Sequence, residues 1–381
     1  MELHTPELEK FISKERFQVL YRLTGSKDEA FEKAQDIIIE QTVEFPADLV
    51  PKGAIRDHIF GKVIDIKEVS ENIHEALISY AIETAGGEIP QFLTLIFGNI
   101  SIKPGIKILR IGSHPFMEKM CRGPRFGIDG IRKLTDSFDR PLLCGAIKPM
   151  GLDALTLAEM AYQFTIGGID MIKDDHGLAD QPFCRFKERV RQVSDAVNDA
   201  NAKSGSKTLY APSISGPADE ILERAEFAKE CGAGALLIAP AITGFDTVRS
   251  IAENDRISLP VIAHPAFMGS FTVSPDSGIS HYALYGTIMR MIGADGSVYP
   301  NFGGRFSFSK EECSDIQKGC TDEFGGFRSI FPMPGGGMSV ERVPELKRMY
   351  GNDVMFLIGG GLFRRSSDLA GNVKYFRELS Q

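Results

Sequence analysis

Gly167-Gly168-Ile169-Asp170-Met171-Ile172-Lys173-Asp174-Asp175-His176 reads as a short apolar strand that ends in an amine, two carboxylates and an imidazole. Ile169, Met171 and Ile172 suit a buried strand; four polar side chains in succession do not. The strand therefore leaves the core at Lys173 and opens into polar surroundings. Taken alone, a polar run after a strand equally describes a solvated loop. The pattern around it decides between the two readings.

From Arg140 onward, short apolar segments alternate with amphipathic helical ones. Strands are expected at 141–147, 169–173, 208–213, 235–239, 260–264, 296–299, 329–333 and 354–358, with helices at 154–166, 186–204, 218–231, 245–254, 279–293, 310–318 and 340–350. Eight strands separated by helices over about 240 residues describe a (β/α)8 barrel, a TIM barrel. A doubly wound open sheet would call for a glycine-rich turn after the first strand and fewer repeats.

A barrel places its functional groups at the C-terminal ends of the strands. In order those ends carry Lys148-Pro149-Met150, Lys173 to His176, Pro212-Ser213-Ile214-Ser215, Pro240 and His264-Pro265. Asn301-Phe302-Gly303-Gly304-Arg305, Pro334-Gly335-Gly336-Gly337 and Gly359-Gly360-Gly361 complete the circle. One glycine suffices for a turn, yet each of the last two loops has three. Glycine lets backbone N–H groups close on an anion, and the loops after strands seven and eight are this fold's usual phosphate site. A phosphorylated substrate is expected there.

Asp175 and His176 are possible metal ligands. Lys173 as an ammonium would repel a cation and becomes a ligand only as its CO2 adduct, an anionic oxygen donor suited to Mg2+. Without that modification it would pair with Asp174 or Asp175, and the residues leave both options open.

The first 125 residues mix helix and strand and read as a smaller α+β domain, followed by a barrel domain over 126–381. Strands are expected at 17–23, 58–67 and 106–111. A helix at 27–39 begins with Ser26 and Glu29 in capping-box spacing, and another at 71–85 stops at Gly86-Gly87. Glu40, closing an apolar helix, and the Gly98-Asn99 pair are the candidate polar groups; Gly-Asn alone is also simply a turn.

Composition narrows the class. The chain has 381 residues, 43% hydrophobic and 25% charged, as in a soluble globular protein with a large core. A formal charge of −8 argues against a nucleic-acid partner. No signal peptide or membrane-spanning run is legible, so a cytoplasmic location is expected. The 6 cysteines lack zinc-site spacing and read as reduced thiols. With only 7 dispersed histidines, any metal must lean on oxygen ligands.

Arg140-Pro-Leu-Leu-Cys-Gly-Ala-Ile-Lys-Pro149, Gly167 to Asp175, Gln181-Pro-Phe183, Gly98-Asn99, Arg122-Gly-Pro124 and Gly359-Gly-Gly361 together resemble the RuBisCO large-chain superfamily, in order over most of the chain. The resemblance implies an α+β domain before a TIM barrel, and a homodimer in which one subunit's N-terminal domain completes its partner's site. It implies Mg2+ held by carbamylated Lys173 and by Asp175, Lys148 as the enolising base, and His264 beside the substrate hydroxyls. Glu40 and Asn99 would reach the partner's site, and Gly335, Gly336, Gly359 and Gly360 would bind phosphate.

Departures from the family pattern are informative. His176 stands where the third metal ligand, a glutamate, is expected. Met150 replaces a second active-site lysine, Pro265 replaces an arginine that grips a second phosphate, and Gly-Thr-Trp is missing after Glu40. Residues 301–308 hold no lysine to retain an added CO2, with Arg305 the only cation. The chain thus resembles a RuBisCO-like protein of the form IV type rather than a carboxylase. The remaining machinery makes an enediolate. The preferred expectation is a lyase that decarboxylates a phosphorylated β-keto acid, such as 3-oxo-isoapionate 4-phosphate, in carbohydrate metabolism. The alternative is an isomerase or enolase of a phosphorylated ketose, as in methionine salvage, and a third reading is a non-catalytic binding protein.

Overall fold

The capping box expected at Ser26 forms. The Ser26 hydroxyl accepts the Glu29 N–H, the Glu29 carboxylate accepts the Ser26 N–H at 2.7 Å, and the helix Lys27–Glu40 follows. The structure is a computed structural model describing residues 7–306 and 308–380. It divides into two compact units.

The first unit runs to Arg122 and also takes in Met268–Thr287 and Phe324–Gly326, stretches of later sequence. Strands β1 (Arg16–Thr24), β2 (Lys62–Ser70), β3 (Ile73–Ala81) and β4 (Ile106–Ile111) form a sheet in the order β4-β1-β3-β2, antiparallel throughout. A two-residue strand, Gly278–Ile279, adds to β4 in parallel. Phe17 packs against Tyr80, Phe92 and Phe116, with ring centroids 5.5, 5.4 and 5.2 Å away.

Two expectations need correction. The helix read over 71–85 is strand β3 followed by a single 3-10 turn, Ile82–Ala85. His74, Ala76, Ile78 and Tyr80 are all buried, a period of two that pairs β3 with β1 on one side and β2 on the other. The stop signal is real but belongs to the short turn, where Gly86 takes φ +63°. The helix read over 279–293 begins later, as a π-helical stretch Tyr282–Ile288 that passes into Met289–Met291.

The second unit holds eight parallel strands: β5 (Leu142–Ile147), β6 (Met171–Asp174), β7 (Leu209–Ala211), β8 (Leu236–Ile238), β9 (Val261–Ala263), β10 (Gly296–Pro300), β11 (Phe331–Gly335) and β12 (Met355–Ile358). Their order is β7-β6-β5-β12-β11-β10-β9-β8. The ends meet just beyond β7, where Ser213 bridges Leu237. There the Ile214 N–H donates to Leu237 O, and the Leu237 N–H to Pro212 O, both at 2.9 Å. The sheet is therefore closed, and no edge is left to solvent.

Leu142, Cys144, Met171, Ala211, Leu237, Ile262, Val298, Met333, Met355 and Leu357 fill the interior in the alternating register of parallel strands. Helices Ala154–Ile166 and Phe186–Ser204 span the residues their periodicity predicts. Asp170, at the start of β6, takes two hydrogen bonds from the Arg140 guanidinium, at 2.8 and 2.7 Å, and one from the Leu143 N–H at 2.8 Å. This buried pair ties the loop before β5 to β6 at the N-terminal end of the barrel.

Candidate active site

Register brings the candidate side chains together. Ala146 pairs with Lys173, Ile147 with Asp174, and Lys173 with Ala211. Lys148 therefore leaves β5 level with Asp175, whose N–H donates to Ile147 O at 3.3 Å.

Lys173 is 2% exposed, and its Nζ donates to the main-chain oxygen of Asp174 at 2.8 Å. Burial lowers its pKa, against the pull of Cys144, Asp175 and Asp174. The Asp174 carboxylate is engaged elsewhere than with Lys173. Its carboxylate accepts hydrogen bonds from Arg189 Nε at 3.0 Å, the Tyr210 hydroxyl at 2.8 Å and the Ser213 N–H at 3.0 Å.

Asp175 is partly exposed. His176 beside it is the largest cause, with Lys173 and Lys148 adding to it, of a carboxyl held down at about 2. The His176 Nδ1 to Asp175 Oδ1 separation is 3.6 Å, longer than a formed hydrogen bond. The His176 ring stacks on His264, with centroids 4.6 Å apart and planes 13° from parallel. His264 Nδ1 accepts the Ala266 N–H at 3.2 Å, which leaves Nε2 to carry the proton. Burial, then Lys173 and His176, push the His264 pKa down to about 2, so its imidazole is neutral.

The glycine triplets divide by surroundings. A Cβ on Gly359 would stand 2.8 Å from Lys148 Nζ, so the bare α-carbon makes room for that amine. Gly337, at φ +64°, would bring its Cβ to 2.7 Å from Gly304 Cα, where the loops after β10 and β11 meet backbone to backbone. Cβ atoms on Gly335 and Gly361 would strike Leu357 and Met338 O. Gly336 and Gly360 alone among the six face open space. Phosphate can approach the backbone there, while the other four glycines have packing reasons of their own.

In the loop after β10, the Asn301 side chain is spent on Tyr350, whose hydroxyl donates to Oδ1 at 2.9 Å. Arg342 donates to Phe302 O at 2.8 Å and lies over the Phe302 ring. Arg305 is exposed, its guanidinium 6.0 Å from the centre of the Phe306 ring. Ser307 lies outside the described residues. Met150 is 49% exposed, with its terminal methyl against Gly177.

Glu40 and Asn99 lie in the first unit. Glu40 is the last residue of its helix. Asn99 opens a 3-10 turn and donates to Glu44 at 3.3 Å. Gln41 joins them. Its amide donates to Thr94 O and Leu95 O at 2.6 and 3.0 Å, and its carbonyl accepts the Ile100 N–H at 3.2 Å. The helix end and the Gly98-Asn99 loop are thus fastened together by a residue that sequence reasoning passed over. Arg189 was passed over too, although a signal for it exists. Phe186, Val190, Val193 and Val197 form the buried stripe of its helix, and Arg189 sits among them. A cation on an apolar stripe announces a buried partner.

The donor set can be tested against a divalent ion. Among the described residues, no three His, Cys, Asp or Glu side chains are grouped to hold a metal. A site here would draw on Lys173. Its buried amine beside ionised Asp175 fits Mg2+ once CO2 turns the amine into a carbamate.

Residues 127–378 match the family described as ribulose bisphosphate carboxylase large chain, catalytic domain. The chain is 35% identical over 349 residues to 5-methylthioribulose-1-phosphate isomerase of Rhodospirillum rubrum, covering 91% of each chain. It is 35% identical over 369 residues to 2,3-diketo-5-methylthiopentyl-1-phosphate enolase of Bacillus pumilus, covering 94% of this chain and 90% of that one. The crystal structure of a RuBisCO-like protein from Rhodopseudomonas palustris superposes with a TM-score of 0.86 at 37% identity, over 96% of this chain and 97% of the other. With the closed barrel and the Lys148, Lys173 and Asp175 cluster at its mouth, these likenesses place the chain in the RuBisCO large-chain family, among the RuBisCO-like proteins.

Proposed function

We propose that this protein moves a proton at the carbon beside a carbonyl in a phosphorylated, ketose-derived substrate, through an enediolate. The observation that carries the reading is the convergence of Lys148, Lys173, Asp175 and His264 at the C-terminal ends of three neighbouring or facing strands.

Lys148, seated over Gly359, takes and returns the proton. Neutral His264 offers its Nε2–H to a substrate oxygen. Gly336 and Gly360 leave the backbone open to the phosphate. Lys173, as its carbamate, and Asp175 would hold Mg2+, with His176 a third candidate. Bound Mg2+ lowers the cost of negative charge on substrate oxygens. Glu40 and Asn99 would be supplied by the partner subunit of a homodimer.

The preference for decarboxylation gives way to the alternative reading. Loss of CO2 would reach the same enediolate, but the relatives named by activity above are an isomerase and an enolase, which supports proton transfer.

The test is solvent-deuterium uptake, followed by proton NMR, into 5-methylthioribulose 1-phosphate and 2,3-diketo-5-methylthiopentyl 1-phosphate with Mg2+ and bicarbonate present. Uptake that disappears with EDTA and in Lys148→Met is the expected result. Absence of uptake from both, with CO2 released from 3-oxo-isoapionate 4-phosphate, would return the assignment to the lyase.

A further inference from the structure

Arg189 and Asp174 form an ion pair in which both side chains are 0% exposed. Such a pair is a poor source of stability, because desolvating two charges offsets most of their attraction and an apolar pair often serves as well. Its geometric consequence is specific. Arg189 Nε donates to Asp174 Oδ2 at 3.0 Å, Nη2 to Ala179 O at 2.9 Å, and Nη1 to Cys184 O at 3.1 Å. One side chain on the helix Phe186–Ser204 thus fastens the end of β6 and two points of the loop that carries Asp175 and His176.

The far side of Asp174 is fastened to the next strand, through the Tyr210 hydroxyl and the Ser213 N–H. The main-chain oxygen of the same residue receives Lys173 Nζ. Gln181 braces the loop a second time, its amide donating to Gly177 O at 2.6 Å and its carbonyl accepting the Ala179 N–H at 2.9 Å. Burial opposes the charge of Arg189, but the Asp174 carboxylate outweighs it and holds the guanidinium protonated.

We propose that Arg189 is a positioning residue for the metal site: through Asp174, Ala179 and Cys184 it sets the separation at which Lys173 and Asp175 can share one divalent ion. This rests on the reading of Lys173 and Asp175 as metal ligands. Carbamate formation joins the amine nitrogen of Lys173 to the carbon of dissolved CO2. One C=O π pair moves onto oxygen, and the amine proton leaves to solvent. The product is an anionic oxygen donor, and it can ligate an ion together with Asp175 only if both main-chain segments are held at the right spacing.

Three variants separate positioning from folding. Arg189→Lys keeps a cation for Asp174 but cannot span to Ala179 O and Cys184 O. Arg189→Met with Asp174→Asn removes both charges, so no uncompensated ion is buried. Arg189→Met alone is the destabilised control. Mn2+ affinity is measured by electron paramagnetic resonance with bicarbonate present, the carbamate carbon by 13C NMR with labelled bicarbonate, and amide hydrogen exchange over residues 175–185 by mass spectrometry.

Arg189→Lys and the double variant should melt close to wild type yet bind Mn2+ about 10- to 100-fold more weakly, as loss of an outer support does, with faster exchange in the loop. Wild-type Mn2+ affinity and loop protection in both folded variants would overturn the positioning role while leaving the metal reading intact. A wild-type protein that binds no Mn2+ and shows no carbamate signal would overturn both.

Discussion

At the scale of single residues, the site depends on groups that are absent as much as on those present. Gly359 has no Cβ where Lys148 Nζ lies, and among the described residues the only atoms a Cβ would meet within 4 Å are the far end of that lysine. Gly359→Ala should therefore fold normally but displace the amine, lowering deuterium exchange by about 10²-fold, the low end of what a proton-transfer group contributes. An unchanged exchange rate would remove Lys148 from the role of base. Asp170 is the opposite case, a buried carboxylate whose partners are Arg140 and the Leu143 N–H. Asp170→Asn would leave the Arg140 guanidinium buried without its counter-charge, at a cost of about 3–5 kcal/mol, readable from urea unfolding. These two positions also show where sequence legibility ends. A lysine at a strand end is visible in the chain; the α-carbon that makes room for it lies more than two hundred residues away.

At the scale of elements, the two glycine loops behave differently under the same substitution. Gly337→Ala forces a side chain at φ +64° and against the Gly304 backbone, so it should lower the melting temperature. Gly360→Ala meets nothing within 4 Å and should leave the melting temperature unchanged while weakening the competition of inorganic phosphate with substrate. Equal phosphate inhibition in Gly360→Ala would move the phosphate elsewhere.

The start of β10 offers a pH test. The Asp295 carboxylate accepts hydrogen bonds from the Phe126 and Gly127 N–H groups at 2.7 Å and from the Val261 N–H at 3.0 Å, yet burial pushes its pKa from 3.8 up to about 6. Between about pH 4 and 6 the folded chain keeps a proton that the unfolded chain has released. Stability from this group is thus full below about pH 4 and is lost as pH rises through 6, a difference of about 3 kcal/mol. Asp295→Asn should flatten that part of the stability profile; a slope that persists would assign it to another group. Element type was legible in the helices Ala154–Ile166 and Phe186–Ser204, where the helical period is unambiguous. It failed at β3, because Ile73 to Ala81 is flanked by partners on both sides, and only those partners reveal a period of two.

At the scale of the whole molecule, no helix among the described residues is long and apolar enough to cross a membrane. The closed sheet of eight parallel strands collects one loop from each strand at one end, so residues from 148 to 361 become neighbours. Light scattering on the purified chain should give twice the monomer mass if Glu40 and Asn99 serve a partner's site. A stable monomer with full deuterium exchange would exclude them from catalysis. The chain by itself determined the strand and helix repeat and the placing of Lys148, Lys173, Asp175 and His264 at or beside strand ends. Those are local properties, written in periodicity and in polar residues at strand exits. Tertiary structure alone decided that Asp174 faces Arg189 and Tyr210 rather than Lys173, that His176 stacks on His264, and which glycines stand open. Each of these depends on which distant backbone comes within a few ångströms, and strand register and barrel closure set that distance.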